Sequence, residues 1–321
     1  MVYLQFKKIK EKEYLYLVKN IRLSSSKWKK INKYLGNSSF KGNLSREYLE
    51  NKDFFVNEEF NLRMKSLSSN SLTRDPAALS FILKSSIEVE NLKEIDPVFR
   101  DSIVRDFLRE FFYNSNNIEG SKIPKEEIDK ILDHKKSLHK NRMEIKEVEN
   151  SLAAWYHLEN DFTFSTGNIN KLYRILTDGL RTSSGNEFPR GYKKINNIVG
   201  NMKTTSFEEI PDSMRLLVEW YRANKKKMNS LELAFEFHLK FERIHPFDDA
   251  NGRTGRMLMN KILIDAGFSP MIIFTKNRTS YFNAIASTVE TGHSMKYTTF
   301  MVDQYKKTFK EFYLSRIRER N

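Results

Sequence analysis

The chain has 321 residues, no cysteine and a formal net charge of +14 at pH 7, with 39% hydrophobic and 30% charged residues. This is the composition of a globular protein with a sizeable core and room for two domains, and the absence of cysteine excludes disulfides and thiolate metal sites and fits a reducing cytoplasm. No apolar run approaches the roughly 20 residues of a membrane span, and Met1 to Lys7 carry neither a secretory signal nor a lipidation motif, so no membrane association is expected.

Residues 1–36 read as a β meander, with strands Val2 to Ile9, Glu13 to Arg22 and Lys27 to Leu35 rich in Tyr, Ile, Val and Leu and broken by Ser24-Ser25-Ser26. Residues 1–50 hold 12 Lys/Arg against 4 Asp/Glu, a net +8. Two readings of that charge stand side by side: a solubilising lysine-rich face, or a segment that meets nucleic acid. Residues 37–75 are polar and read as a connector with one short helix around Glu58 to Ser66. From about Asp75 the period becomes helical: one helix begins at Ala77, Leu79, Ile82 and Leu83, and another carries Ile103, Phe107, Phe111 and Phe112. Pro124 followed by Lys-Glu-Glu marks a helix start. Residues 143–162 and 169–176 are amphipathic. Residues 183–206 break the pattern, and Tyr192 to Met202 reads as a hairpin. Helices resume at Pro211, Ser230 to Ile244, Gly252 to Ala266, Ser280 to Ser287 and Lys296 to Ile317.

The helix Ser230 to Ile244 presents Leu233, Phe237 and Phe241 on one face and ends at His245. Pro246 cannot extend it, so the chain turns, Phe247 enters the core, and a new helix starts near Gly252. A helix N-terminus has free N–H groups and a positive dipole end, which suit phosphate. Arg253 and Arg256 lie three apart and share a face, where two guanidinium forks can grip successive phosphates. Asp249 offers a hard oxygen ligand for Mg²⁺, and His245 stands where a proton leaves an attacking hydroxyl. Alone, each has an ordinary structural explanation; together they point to phosphoryl or nucleotidyl transfer.

The segment His245 to Arg256, HPFDDANGRTGR, resembles the signature of the Fic family, HPFx(D/E)(G/A)NGRxxR, and matches every fixed position. Ala250 stands where many members carry glycine; a positive φ there costs alanine roughly 1 kcal/mol or more. Doc-type relatives, which phosphorylate, carry lysine at the position of Gly252 and lack the second arginine, so the resemblance is to the AMP-transferring branch. It implies that His245 deprotonates the target, that Asp249 holds Mg²⁺, that Asn251 and the loop amides hold the α-phosphate of ATP, and that Gly252, Arg253 and Arg256 complete the phosphate site. The flanks agree. Leu233 to Ile244 is similar to the helix before the signature, with His238 read as a packed histidine. Gly191 to Gly200 resembles the flap that clamps a target by strand pairing, with Tyr192, Ile195 and Val199 as its docking side chains. Asn277 to Ile285 resembles the nucleoside side, where Tyr281 either stacks near adenine or packs in the core.

Ser115 to Gly120, SNNIEG, is similar to the family's inhibitory motif (S/T)xxxE(G/N), placed upstream of the core as in class II members. The resemblance implies that Ser115, Glu119 and Gly120 form a brake in which Glu119 pairs with Arg256. The expected fold is mainly α: a Fic-type helical bundle with a β-hairpin flap, behind a small basic β meander. The expected divisions are 1–36 (meander), 37–75 (connector), 76–142 (helical region with the inhibitory helix), 143–295 (catalytic core) and 296–321 (C-terminal helix). The expected activity is Mg²⁺-dependent transfer of AMP from ATP to a Ser, Thr or Tyr hydroxyl of a protein. De-AMPylation through Glu119 and His245 is one alternative, and a nucleic-acid-binding regulatory module using the basic segment is another. A homodimer is a further expectation drawn from the family.

Overall fold

The computed structural model describes residues 2–23, 28–37, 43–65, 75–182, 184–196, 198–199 and 202–320. The Ser24-Ser25-Ser26 break, much of the connector, and Gly200 of the flap therefore lie outside the described residues. The chain is mostly helical, with a three-stranded antiparallel sheet at its start. It divides into two compact units, residues 1–104 with 267–269 and 313–321, and residues 105–266 with 270–312.

In the first unit, β1 (Val2–Ile9), β2 (Lys12–Arg22) and β3 (Trp28–Asn37) pair in the order β1-β2-β3, with a bulge between Leu15 and Tyr16. Alternation sends Leu15, Leu17 and Ile21 to a buried face. Lys19 lies on the same face, buried, and is held by Glu59 and Asn91. Burial pulls its ammonium below the usual lysine range, and Glu59 pushes back. Behind the sheet come α1 (Leu44–Glu50), α2 (Lys52–Met64) and α3 (Pro76–Ile95). Two helices thus stand where the sequence suggested a connector with one. Asn43 caps α1 through its side chain, and Asn51 ends α1 and begins α2, so residues that look like loop formers act as helix boundaries. Tyr48, Phe55 and Val56 supply the buried stripe. α3 starts as proline and aspartate dictate, with Asp75 accepting from the Ala78 N–H and Pro76 in the first turn.

The boundary between the units falls within α4 (Pro97–Ile118). The second unit continues with α5 (Lys125–Leu132), α6 (Arg142–Asn160), α7 (Thr166–Thr177), the short strands β4 (Ile198–Val199) and β5 (Met202–Lys203), α8 (Ile210–Asn224), α9 (Ser230–Ile244), α10 (Asn251–Asp265), α11 (Arg278–Thr291) and α12 (Met295–Lys307). α9 packs on α8 and α10, and α10 also meets α6 and α7. An aromatic core of Phe107, Phe111 and Trp155 joins α4 to α6. Pro124 caps α5 rather than opening its first turn, and Glu126 and Glu127 follow it as expected. Among the described residues the paired part of the flap is shorter and later than Tyr192 to Met202, because the segment before it is tied down elsewhere: the Lys193 N–H donates to the Pro246 carbonyl (2.9 Å) and the Phe207 N–H to the Asn196 side chain (2.9 Å). The single C-terminal helix expected over Lys296 to Ile317 is interrupted by a wider π turn at Thr308–Tyr313 before α13 (Leu314–Arg320). The Thr308 hydroxyl accepts the Ile272 N–H and lies 2.9 Å from the Gln304 carbonyl, which disturbs the i→i−4 ladder there.

Candidate active site at the α9–α10 turn

α9 delivers His245 by burying Leu233, Phe237 and Phe241 and then ending in a left-handed residue: His245 has φ 50° and its N–H still donates to the Phe241 carbonyl (2.9 Å). Phe247 then anchors the turn, stacked on Tyr173 at 3.9 Å with rings 2° apart. Tyr192 closes on the same ring at 5.8 Å. Asn251 ties the loop shut. Its side-chain oxygen accepts the Phe247 N–H (2.9 Å) and its amide donates to the Phe247 carbonyl (2.8 Å). The side chain of Asn251 is buried and shapes the loop. Ala250 sits at φ 57°, the left-handed region anticipated for that position, immediately before α10.

The turn gathers the charged groups. Arg253 donates to Asp249 (3.1 Å) and to Glu147 of α6 (3.1 Å), while the Asp249 side chain stays 44% exposed. Arg256 is fully buried and gripped from α4: its Nε donates to the Ser115 hydroxyl (2.9 Å) and its Nη2 to the Ser115 carbonyl (2.9 Å) and to Glu119 Oε1 (2.7 Å). Ser115 and Glu119 thus act on one guanidinium, and Gly120 ends the segment at φ 109°. Arg253 Nε and Arg256 Nη1 are buried without a hydrogen-bond partner among the described residues, two donors left over in a site that already faces outward through Asp249. Gly252 admits the Glu119 carboxylate: a Cβ there would lie 2.0 Å from Glu119 Oε1.

The charge states follow from burial and neighbours. Burial, and then the nearby Lys193 ammonium, pull His245 down to about 4, so the imidazole is neutral at pH 7 and free to accept a proton. Burial pushes the Glu119 carboxyl up, but the charge and hydrogen bond of Arg256, with help from Arg253 and His245, outweigh it and hold the group below the usual range. Behind Arg256 lies a layer that remains uncharged. Burial raises Glu242 to about 8 against the pull of Arg256, and it lowers His238 to about 3. His238 Nε2 meets the Tyr281 hydroxyl at 2.7 Å and its Nδ1 lies 3.8 Å from Glu242. Among these acids Glu119 alone is ionised against Arg256 at pH 7.

The flap residues divide. Tyr192 is half-buried on Phe247, Ile195 projects with 77% exposure, and the side chain of Val199 lies outside the described residues, although its backbone pairs with Met202. Tyr281 is buried (1% exposed) and stacks on His238, which places it in the core. Sequence reading did not single out Glu147, Lys193 or Glu242. Glu147 is 106 residues from its partner and leaves no local signal. Lys193 stands among the other lysines of GYKKINNIVG. Glu242 had a usable one, an acid four residues after His238 on the buried face of an apolar helix.

Residues 163–263 match the Fic/DOC family. A probable protein adenylyltransferase of Aquifex aeolicus is 34% identical over 108 residues, 33% of each chain. A protein adenylyltransferase Fic of Culex quinquefasciatus is 28% identical over 204 residues, 61% of this chain and 40% of the relative. The chain therefore spans a third to two-fifths of the length of these relatives. Among solved structures, a Fic-domain signalling protein from Bacteroides thetaiotaomicron superposes with a TM-score of 0.64 at 22% identity, over 72% of this chain and 95% of that one, which speaks for the fold. Fic-1 from C. elegans does so with a TM-score of 0.61 at 18% identity, over 83% and 79%. Among the described residues no helix is long and apolar enough to cross a membrane. The chain carries a domain of the Fic/DOC family across residues 163–263.

Proposed function

We propose that the chain transfers AMP from ATP to a Ser, Thr or Tyr hydroxyl of a protein, with Mg²⁺, and that Glu119 restrains it. One observation carries the reading: His245, Asp249, Arg253 and Arg256 converge on a single helix-to-helix turn, with two buried guanidinium donors left without partners among the described residues. The names of the relatives point the same way.

The residues present fit Mg²⁺–ATP. Among the described residues no group of three or more His, Cys, Asp or Glu side chains would hold a metal unaided, and Mg²⁺ commonly binds through one carboxylate with phosphate oxygens. Asp249 supplies that carboxylate. When bound, the ion neutralises charge on the phosphates of the nucleotide. Arg253 and Arg256 then hold the β- and γ-phosphates, and the first-turn amides of α10 face the α-phosphate. Neutral His245 takes the proton from the target hydroxyl as its oxygen bonds to the α-phosphorus and pyrophosphate departs on the opposite side. Positioning and charge neutralisation supply most of the rate.

Glu119 opposes this by keeping Arg256 from the γ-phosphate. Incubation with ATP labelled at the α-phosphate tests both statements: labelled protein appears, more strongly with Glu119→Gly and not with His245→Ala. No labelled protein from either the wild type or Glu119→Gly refutes the transferase. Labelling that Glu119→Gly leaves unchanged refutes the brake. A second reading is favoured by the proximity of ionised Glu119 to His245: the same pair can place a water on an AMP–protein bond and remove the AMP. Release of AMP from an AMPylated protein by the wild type, lost in Glu119→Gly, tests it.

A further inference from the structure

The amino-terminal sheet has two faces; one packs in the core of its unit, and the other buries Val18 at its centre but leaves aromatic rings exposed around it. Leu15, Leu17 and Ile21 are buried. The register assigns the other face. Tyr16 pairs with Gln5 and Tyr34, Val18 with Tyr3 and Asn32, Tyr14 with Lys7, Asn20 with Lys30, and Arg22 with Trp28. Side chains in paired positions project to the same side, so five aromatic rings from three strands share this open face. Trp28 is 59% exposed and Tyr34 49%; Tyr3, Tyr14 and Tyr16 are partly exposed. The rings form a patch, with Tyr34 lying 5.9 Å from Tyr14 and 5.5 Å from Tyr16.

Cations are laid among the rings. Lys7 stands 4.5 Å over Tyr16, and Lys30 stands 5.7 Å over Tyr3 while donating to Gln5 (2.9 Å). The amides of Gln5, Asn20 and Asn32 stand among them beside the buried Val18, and the register brings no Asp or Glu to this face among the described residues. Both acids of β2 and its preceding turn, Glu11 and Glu13, lie at the far end beside Lys8, Lys10 and Lys12.

From this arrangement we propose that the open face of β1–β3 binds single-stranded nucleic acid, with bases stacked on the tyrosines and Trp28 and the phosphate backbone running along the lysines. Exposed rings accept any base once a base displaces the flexible lysine side chains that stand over Tyr16 and Tyr3, those lysines follow a charged backbone, and side-chain amides reach base edges. A duplex hides its base faces and would use the cations alone. A second copy of the chain is disfavoured by charge, since the same face on both would bring two net +8 segments together. An anionic lipid surface would seat both the lysines and the rings but would offer no base edges to the amides of Gln5, Asn20 and Asn32. The proposal is independent of the transferase reading and stands or falls separately.

Fluorescence anisotropy of the full chain with labelled 15-nucleotide oligouridylate and oligothymidylate tests it. Binding to either strand is expected to weaken steeply as salt rises. Replacing Tyr16 and Tyr34 by alanine should weaken binding about 5- to 150-fold for each stacked base lost, whereas the phenylalanine pair should retain most of the affinity. Lys7→Gln with Lys30→Gln should lessen the salt dependence. The proposal is overturned if the wild type binds neither strand at low salt. A duplex of the same length bound equally tightly overturns it as well. So does affinity that the alanine pair leaves unchanged while its melting temperature matches the wild type. Sedimentation showing dimers that the alanine pair dissociates, or binding to phosphatidylserine vesicles with no oligonucleotide binding, assigns the face to another occupant and also overturns it.

Discussion

The α9–α10 turn and the flap lie side by side and are built in opposite ways. The turn is closed on itself: Asn251 bonds both polar groups of Phe247, Phe247 stacks on Tyr173, and Arg253 and Arg256 are buried and held by Glu147, Asp249, Ser115 and Glu119. The flap is anchored at one end through Lys193 and then turns Ile195 and Ile198 outward with 77% and 65% exposure. Fixed geometry suits a group that must meet a triphosphate in one orientation. Exposed apolar side chains on a short antiparallel pair suit a partner that arrives as an extended strand.

That contrast can be broken most directly at His245. Its replacement by alanine should lower the initial rate of label transfer by about 10²–10⁴-fold without altering the melting temperature by more than a few degrees. The wild-type rate should stay level as pH falls through the ordinary histidine range and decline only toward pH 4, where the imidazole gains its proton; a decline centred near 6.5 would contradict the buried, neutral base. Next in size is Glu119→Gly, which should raise the initial rate about 10- to 100-fold, as expected from loss of a charge-assisted bond of about 1.5–3 kcal/mol. At the flap, Ile195→Asp with Ile198→Asp should cut labelling of lysate proteins about 10-fold while leaving ATP affinity, read by calorimetry, within twofold. Equal losses in both would mean that the flap serves the nucleotide.

Smaller effects probe the closed side. Burial raises Glu242 to about 8, above its unfolded value of 4.5. Such an acid contributes stability that is fully present below the unfolded value and is lost as pH rises through the folded one. The melting temperature of Glu242→Gln should therefore fall less than that of the wild type between about pH 5 and about pH 9. The smallest change is expected from Ala250→Gly. Relief of the left-handed alanine, about 1–2 kcal/mol, is offset by about 0.4–1 kcal/mol of added freedom in the unfolded chain, so urea denaturation should show a gain between about 0 and about 1.6 kcal/mol.

The sequence made the turn legible because its residues are local: twelve consecutive positions hold the base, the carboxylate and both arginines. The Ser115–Glu119 contact was legible only through a resemblance, since 137 residues separate Glu119 from Arg256 and no periodicity links them. The meander was readable from alternation, and its three strands fall within two residues of the expected bounds. α1 escaped because Asn43 and Asn51, which read as loop formers, serve as its boundaries. The flap was drawn too long because aromatic and β-branched residues at 192–199 suggest a strand, whereas Tyr192 is held by a ring and Lys193 by a carbonyl. Tyr281 was open between stacking near a base and packing in the core, and the contact that closes it in, with His238, spans 43 residues.

The bond from the Lys193 amide to the Pro246 carbonyl has a mechanical consequence. Pro246 follows His245 directly, so a strand that docks on the flap and draws it outward loads the backbone next to the imidazole, and one that presses it inward seats that backbone more firmly. Under the proposed transfer, acceptor engagement and the aim of the imidazole would be coupled through a single peptide group.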